Sequence, residues 1–121
     1  MKRVLAVDDS VSMRELVRAT LTDAGYEVVS AEDGTRAYDV ALKSRFDMVL
    51  SDVNMPSMDG IGLVEKLRAR PEYRLVPIVM LTTESSNEMK ARARAAGATG
   101  WIVKPFKQDQ LLAVVKKVTG A

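Results

Sequence analysis

The sequence predicts an α/β fold of five β-α units, arranged as an open parallel sheet with helices on both faces in a three-layer sandwich. Two patterns carry that expectation. Five short apolar runs alternate with five segments of helical apolar spacing, and the short connections between them call for parallel pairing through crossover helices. The central runs are continuous, as in strands covered on both faces, and five units are too few to close an eight-stranded barrel.

The first strand is expected at residues 2–7, with Val-Leu-Ala-Val at 4–7 as its core. Met13, Leu16, Val17, Thr20, Leu21 and Ala24 then recur at helical spacing until Gly25 stops the pattern. The second unit joins a strand at 26–30 to a helix at 35–44, and the third joins 46–51 to 58–70. The fourth joins Val-Pro-Ile-Val-Met-Leu at 76–81 to a helix at 86–96, and the fifth joins 99–103 to 107–118. The fourth helix has a thin apolar stripe, Met89, Ala93 and Ala96 among Lys90, Arg92 and Arg94. Alanine favours helix but buries little area, so this segment is either the part that moves or a plain solvated helix.

A chain of 121 residues fits one domain, residues 1–121, with one sizeable core. Apolar residues make up 47% and charged residues 28%, which excludes a disordered chain. Eighteen basic against 16 acidic residues leave a net charge of +2 without a polybasic run, so nucleic acid is not an expected partner. The apolar stretch after Met-Lys-Arg is too short for a signal peptide and no run approaches membrane-spanning length, so the expected location is cytoplasmic. Cysteine and histidine are both absent, which removes disulfides, thiolate nucleophiles, histidine bases and the usual zinc ligands. Any chemistry must run on carboxylates, hydroxyls and lysine.

Four of the apolar runs end in polar signatures: Asp8-Asp9, Asp52, Thr82-Thr83 and Lys104. Parallel neighbours would bring these ends to one sheet edge. Three carboxylates suit Mg²⁺, which takes hard oxygen ligands, and clustered acids repel and raise a pKa unless a cation compensates. A plainer use of Asp8 or Asp9 is to cap the helix starting near Val11, and of Thr82 or Thr83 to cap the fourth helix. The joint pattern favours the metal site. Asp52 closes the central strand without a neighbouring acid, so it is the expected nucleophile, with Lys104, Mg²⁺ and Thr82 neutralising a phosphoryl group. Lys104 precedes Pro105, the commonest setting for a cis peptide, and the isomer is open at this level.

The strings Asp8-Asp9-Ser10, Asp52-Val53-Asn54-Met55-Pro56-Ser57-Met58-Asp59-Gly60, Thr82-Thr83-Glu84 and Lys104-Pro105-Phe106 closely resemble the receiver domain of bacterial two-component response regulators, over nearly the whole chain. Asn54, Glu84 and Gly-Trp-Ile-Val-Lys-Pro-Phe at 100–106 resemble its chemotaxis branch, the CheY proteins. The resemblance implies a flavodoxin-like sheet of order 2-1-3-4-5, which the pattern of runs does not supply. It also implies that Asp52 is the phosphoacceptor and that Asp9, Asp52 and the Asn54 carbonyl hold Mg²⁺, with Asp8 acting largely through water. Thr83, Asn54 and Lys104 would lie against phosphate. Thr82 would be the switch hydroxyl and Trp101 the switch aromatic, although the family often has tyrosine or phenylalanine there, and a static half-buried tryptophan explains Trp101 too.

The implied partners are a sensor histidine kinase as phosphodonor and a downstream protein target such as the flagellar motor switch, with a phosphatase to reset the signal. No residues remain for an output domain, so the signal is expected to leave a monomer through a protein surface. Lys90, Arg92, Lys107, Lys116 and Lys117 would make the face of the fourth helix, fifth strand and fifth helix basic, although a solvated face explains them equally. Such a protein is a signalling receiver, not a turnover enzyme. Its rivals are a Mg²⁺-dependent aspartyl-phosphate phosphatase, which needs a second acid where Asn54 stands, and a phosphorylation-independent binding module. A flavin site is disfavoured by the acidic loop after Val7.

Overall fold

The computed structural model describes residues 1–55, 57–83 and 86–120. Pro56, Glu84 and Ser85, which fall within the motifs above, lie outside the described residues, as does Ala121. The element order is β1 (Arg3–Val7), α1 (Val11–Asp23), β2 (Glu27–Ala31), α2 (Gly34–Lys43), β3 (Met48–Asp52), α3 (Gly60–Arg68), a 3₁₀ turn (Pro71–Tyr73), β4 (Ile78–Thr82), α4 (Asn87–Ala96), β5 (Gly100–Val103) and α5 (Gln108–Thr119). All four strand pairings are parallel, in the order β2-β1-β3-β4-β5. Five β-α units and the 2-1-3-4-5 order therefore stand as expected.

Side-chain parity divides the core in two. On β1, Leu5 and Val7 face one layer while Val4 and Ala6 face the other; on β4, Ile78 and Met80 oppose Val79 and Leu81 in the same way. The first layer is closed by Ala37 and Ala41 of α2, Ile61, Leu63, Val64 and Leu67 of α3, and Met89 and Ala93 of α4. The second is closed by Val17 and Leu21 of α1 and Leu111 and Val115 of α5. Strands coated on both faces cannot alternate apolar with polar residues, which is why they read as continuous apolar runs.

The third helix is shorter than the expected 58–70, and local chemistry explains both ends. Asp59 is its N-cap, its Oδ1 accepting from the Gly62 N–H at 2.7 Å, which leaves Met58 outside. At the other end Pro71 cannot continue the ladder, and the chain tightens into the 3₁₀ turn. That turn buries Tyr73 completely, with its hydroxyl donating to the carbonyls of Ala41 at 2.7 Å and Ser44 at 2.9 Å. The base of the α2–α3 layer is thereby fixed.

The fourth helix is as thin as its sequence suggests. Only Met89 and Ala93 are buried, and Ala96 is half-buried, whereas α5 supplements its buried pair with Leu112, Val114 and Val118. Its two ends are held differently. Ser86 caps the start, accepting from the Met89 N–H at 3.1 Å, while at the far end Gly97 adopts a left-handed φ of 108° that lets Ala98 N–H close onto the Ala93 carbonyl. There the Arg68 guanidinium adds a bond from α3 to the Gly97 carbonyl at 2.9 Å, and it also donates to the carbonyls of Tyr73 and Val76. One arginine thus ties α3, the following turn and the end of α4 together.

Candidate functional site

Strand register assembles the site. Val7 pairs with Ser51, so Asp8 and Asp52 follow one rung later on adjacent strands; Asp52 pairs with Leu81, and Thr82 with Val103. The Asp8 N–H donates to the Ala31 carbonyl and the Lys104 N–H to that of Thr82, so both residues prolong their ladders before the chain leaves the sheet. These strand ends form the carboxyl edge, where an open α/β sheet places its ligands.

Asp8, Asp9 and Asp52 each bring a carboxylate oxygen to within 4.8 Å of the others. Asp8 and Asp52 are buried and Asp9 is exposed, leaving the cluster open on the Asp9 side. The Lys104 ammonium lies 2.9 Å from Asp8 Oδ2 and 3.5 Å from Asp52 Oδ1, with its side chain only 13% exposed. Three carboxylates against one ammonium leave negative charge uncompensated, and the donors are all hard oxygens. That set fits Mg²⁺, whose coordination tolerates retained water beside one or two carboxylates.

Burial raises the Asp52 pKa above the usual carboxylate value, and the Asp8 charge pushes the same way; Lys104 and the Asn54 N–H oppose them. The mutual repulsion expected from sequence is present, but loss of water is the larger cause. The Asn54 N–H approaches Asp52 Oδ1 at 3.4 Å, while the Asn54 and Thr83 side chains are exposed beside the site. Thr82 is fully buried.

The helix-cap alternatives resolve toward other residues. Ser10, in an extended conformation, caps α1 by accepting from the Met13 N–H, and Asp8 instead accepts from the Ser10 N–H at 2.9 Å. For α4 the cap is Ser86. Neither Asp9 nor the threonine pair performs that role. The Lys104–Pro105 peptide is cis.

Trp101 is not part of the acidic cluster. It sits half-buried against the α2–α4 layer, laterally paired with Met80, and strand alternation puts Thr82 on that same side. Asp8, Asp52 and Lys104 continue the opposite parity, that of the α1–α5 layer. The basic face is also narrower than expected. Lys116 lines a cleft of about 600 Å³ with Met1, Lys2, Ala24, Gly25, Tyr26 and Leu112, which places it toward α1, away from β5.

Three contributors have roles that the sequence alone does not reveal. Arg14, one turn into α1, donates to the Asp8 backbone carbonyl at 2.6 Å and fixes the acidic loop from below. Gly60 approaches Asp52 so closely that an added Cβ would overlap the Asp52 carbonyl and meet Met80 Cε at 2.6 Å. Gly34 stands equally close to Met58, so the start of α2 abuts the chain after Asp52. Gly60 lies within a readable motif, but the need for both glycines comes from distant backbone.

Residues 4–116 match the response regulator receiver domain family. A chemotaxis protein CheY homolog of Campylobacter jejuni is 39% identical over 120 residues, covering 98% of this chain and 92% of the relative. The solved structure of the Vibrio cholerae chemotaxis protein CheY4 superposes with a TM-score of 0.95 at 52% identity, covering 98% of both chains. The receiver domain of a Pseudomonas aeruginosa sensor histidine kinase, whose structure has a magnesium ion coordinated in its active-site cleft, superposes with a TM-score of 0.92 at 29% identity, covering 99% of this chain and 98% of that one.

Proposed function

The chain belongs to the response regulator receiver domain family, whose CheY-like members are signalling proteins of the phosphorelay, and from that premise we propose that Asp52 accepts a phosphoryl group from a sensor histidine kinase. The observation that carries this reading is the Lys104 ammonium held between Asp8 and Asp52 at an edge where three carboxylates converge. Acid, ammonium and hydroxyl are what phosphoryl transfer asks a protein to position.

Asp9 and Asp52 would hold Mg²⁺ with the Asn54 carbonyl, and Asp8 would act largely through water. Bound there, the ion would screen the carboxylates and offset charge on the phosphoryl oxygens. An Asp52 carboxylate oxygen attacks phosphorus in line as the bond to the donor imidazole nitrogen breaks, and the electron pair of that bond returns to the ring. Burial makes this carboxylate more basic than an exposed one. Lys104 exchanges an aspartate for a phosphoryl oxygen, Thr83 and Asn54 flank the group, and the Thr82 hydroxyl turns toward it. Thr82 shares its sheet face with Trp101 and α4, so this movement reaches the α4–β5–α5 surface, where a downstream protein binds.

The chain acts as a cytoplasmic monomer and a single receiver domain, catalysing only its own phosphorylation and dephosphorylation, with chemotaxis and the flagellar motor switch as its setting. No described helix is long and apolar enough to cross a membrane. Intact-mass analysis after incubation with acetyl phosphate tests the chemistry. A Mg²⁺-dependent phosphoryl adduct, lost in Asp52→Asn, is expected. An unmodified mass with steady phosphate release would point to a phosphatase, and an unmodified mass without release to a binding module.

A further inference from the structure

The output edge of the sheet carries an arrangement that the phosphoryl site does not require. Lys90 and Arg94 lie one turn apart on the same face of α4, and both cations sit over one ring. Lys90 Nζ is 5.4 Å and Arg94 Cζ 5.3 Å from the centroid of the Trp101 ring. Indole is the strongest side-chain acceptor for a cation–π contact, and both distances fall within its range. Among the described residues, neither cation has a carboxylate partner. Two like charges at this helical spacing repel weakly, and the shared ring offsets that repulsion.

Trp101 is only half-buried, and among the described residues of α4 Met89 and Ala93 are the fully buried ones. Both cations reach the indole from α4, beside the apolar packing of Trp101 against the core. Their outward N–H groups remain open to a ligand. Val103, two residues along β5 on the same side, is 40% exposed and adds an apolar contact point.

We infer that Lys90, Arg94 and Trp101 form a cation–π latch that holds the indole against α4, and that the partner fitting this surface is an acidic segment that draws the two cations off the ring. Several carboxylates on one segment, each able to take a charge-assisted hydrogen bond, compete with the cation–π contacts, so an anionic partner draws the cations off and frees the indole. This deepens the receiver reading, because a Trp101 displaced by phosphorylation no longer holds the cations. By linkage, phosphorylation then favours the acidic partner, and the partner favours the phosphorylated state to the same degree.

Trp101 is the sole tryptophan, so its fluorescence reports the latch directly. Acrylamide quenching is measured on the unphosphorylated chain, its fold verified by circular dichroism, beside Lys90→Gln/Arg94→Gln and the charge-conserving Lys90→Arg/Arg94→Lys. Loss of both cations is expected to raise the quenching constant by a factor of about 2 to 5, the population shift that exposed cation–π contacts supply, while the charge-conserving pair keeps the wild-type value. Hexaglutamate is expected to raise quenching of the wild type toward that of the Gln variant, and hexaserine to leave it unchanged. Equal quenching in wild type and Gln variant, or a hexaglutamate response that survives loss of both cations, would overturn the latch. None of these readings needs phosphate on Asp52, so they fail independently of the acetyl phosphate test.

Discussion

The phosphoryl site and the α4–β5 flank are built to different standards. Asp52 ends a central strand buried along its whole length, pinned by Gly60 against its carbonyl, while Asp8 beside it is held by Ser10 and Arg14. Along the flank, α4 buries one methionine and one alanine, and an edge strand presents a half-buried tryptophan beneath two cations. Reacting atoms need fixed geometry, whereas a reporting surface needs two arrangements of similar energy. The rigid end lies where the sheet is coated on both faces, and the yielding end where the coat is thinnest.

Truncating matched positions in the two regions is the hardest test of that contrast. Leu50→Ala, beneath the acid cluster, is expected to cost about 4 kcal/mol in urea unfolding, and Met89→Ala on α4 about 2 kcal/mol, because a thin layer can settle into the cavity. Equal costs would break the comparison. Gly60→Ala is expected to cost about 3 kcal/mol by overpacking and to lower the yield of phosphoryl adduct, since the new methyl group displaces the acceptor's own carbonyl. Full adduct yield in a variant so destabilised would show that the acceptor's backbone need not be fixed.

Arg68→Ala is expected to cost about 2 kcal/mol by leaving the carbonyls of Gly97, Tyr73 and Val76 without their donor. Hydrogen exchange should then quicken at the C-terminal end of α4 and not at β3. The smallest effect concerns pH. The folded chain holds the Asp52 proton more tightly than the unfolded chain, so folding loses stability as pH rises from the ordinary carboxylate range through the raised value. Asp52→Asn, which carries no charge, is expected to have a higher thermal midpoint than the wild type at neutral pH without Mg²⁺, the difference narrowing as pH falls. A lower midpoint at neutral pH would contradict the burial cost assigned to this acid.

Local chemistry was legible in the sequence to different depths. Apolar runs and helical spacing placed all five units because both faces of the sheet are coated, and the polar ends of Val7, Leu50, Leu81 and Val103 pointed to one edge. The cap alternative set aside for Asp8, Asp9 and the threonines falls away, since Ser10 and Ser86 occupy the residue before helical geometry begins. Parity decides that Thr82 faces α4 while Asp52 faces α1 and α5, and parity follows from which helix covers which face, a property of the whole topology. Arg14, Arg68 and Arg94 left no signature because backbone carbonyls and a ring from other elements define their roles. A lone arginine on a helix reads as solvated until its neighbours are known.

Amide hydrogen exchange on the chain with and without acetyl phosphate, in Mg²⁺, tests most directly whether a fixed site drives a yielding flank. Exchange is expected to change in α4 and β5 and to stay constant in β1 and β3. A change confined to α1 and α2, or spread evenly over the sheet, would contradict the division of the molecule into a rigid acceptor and a responsive edge.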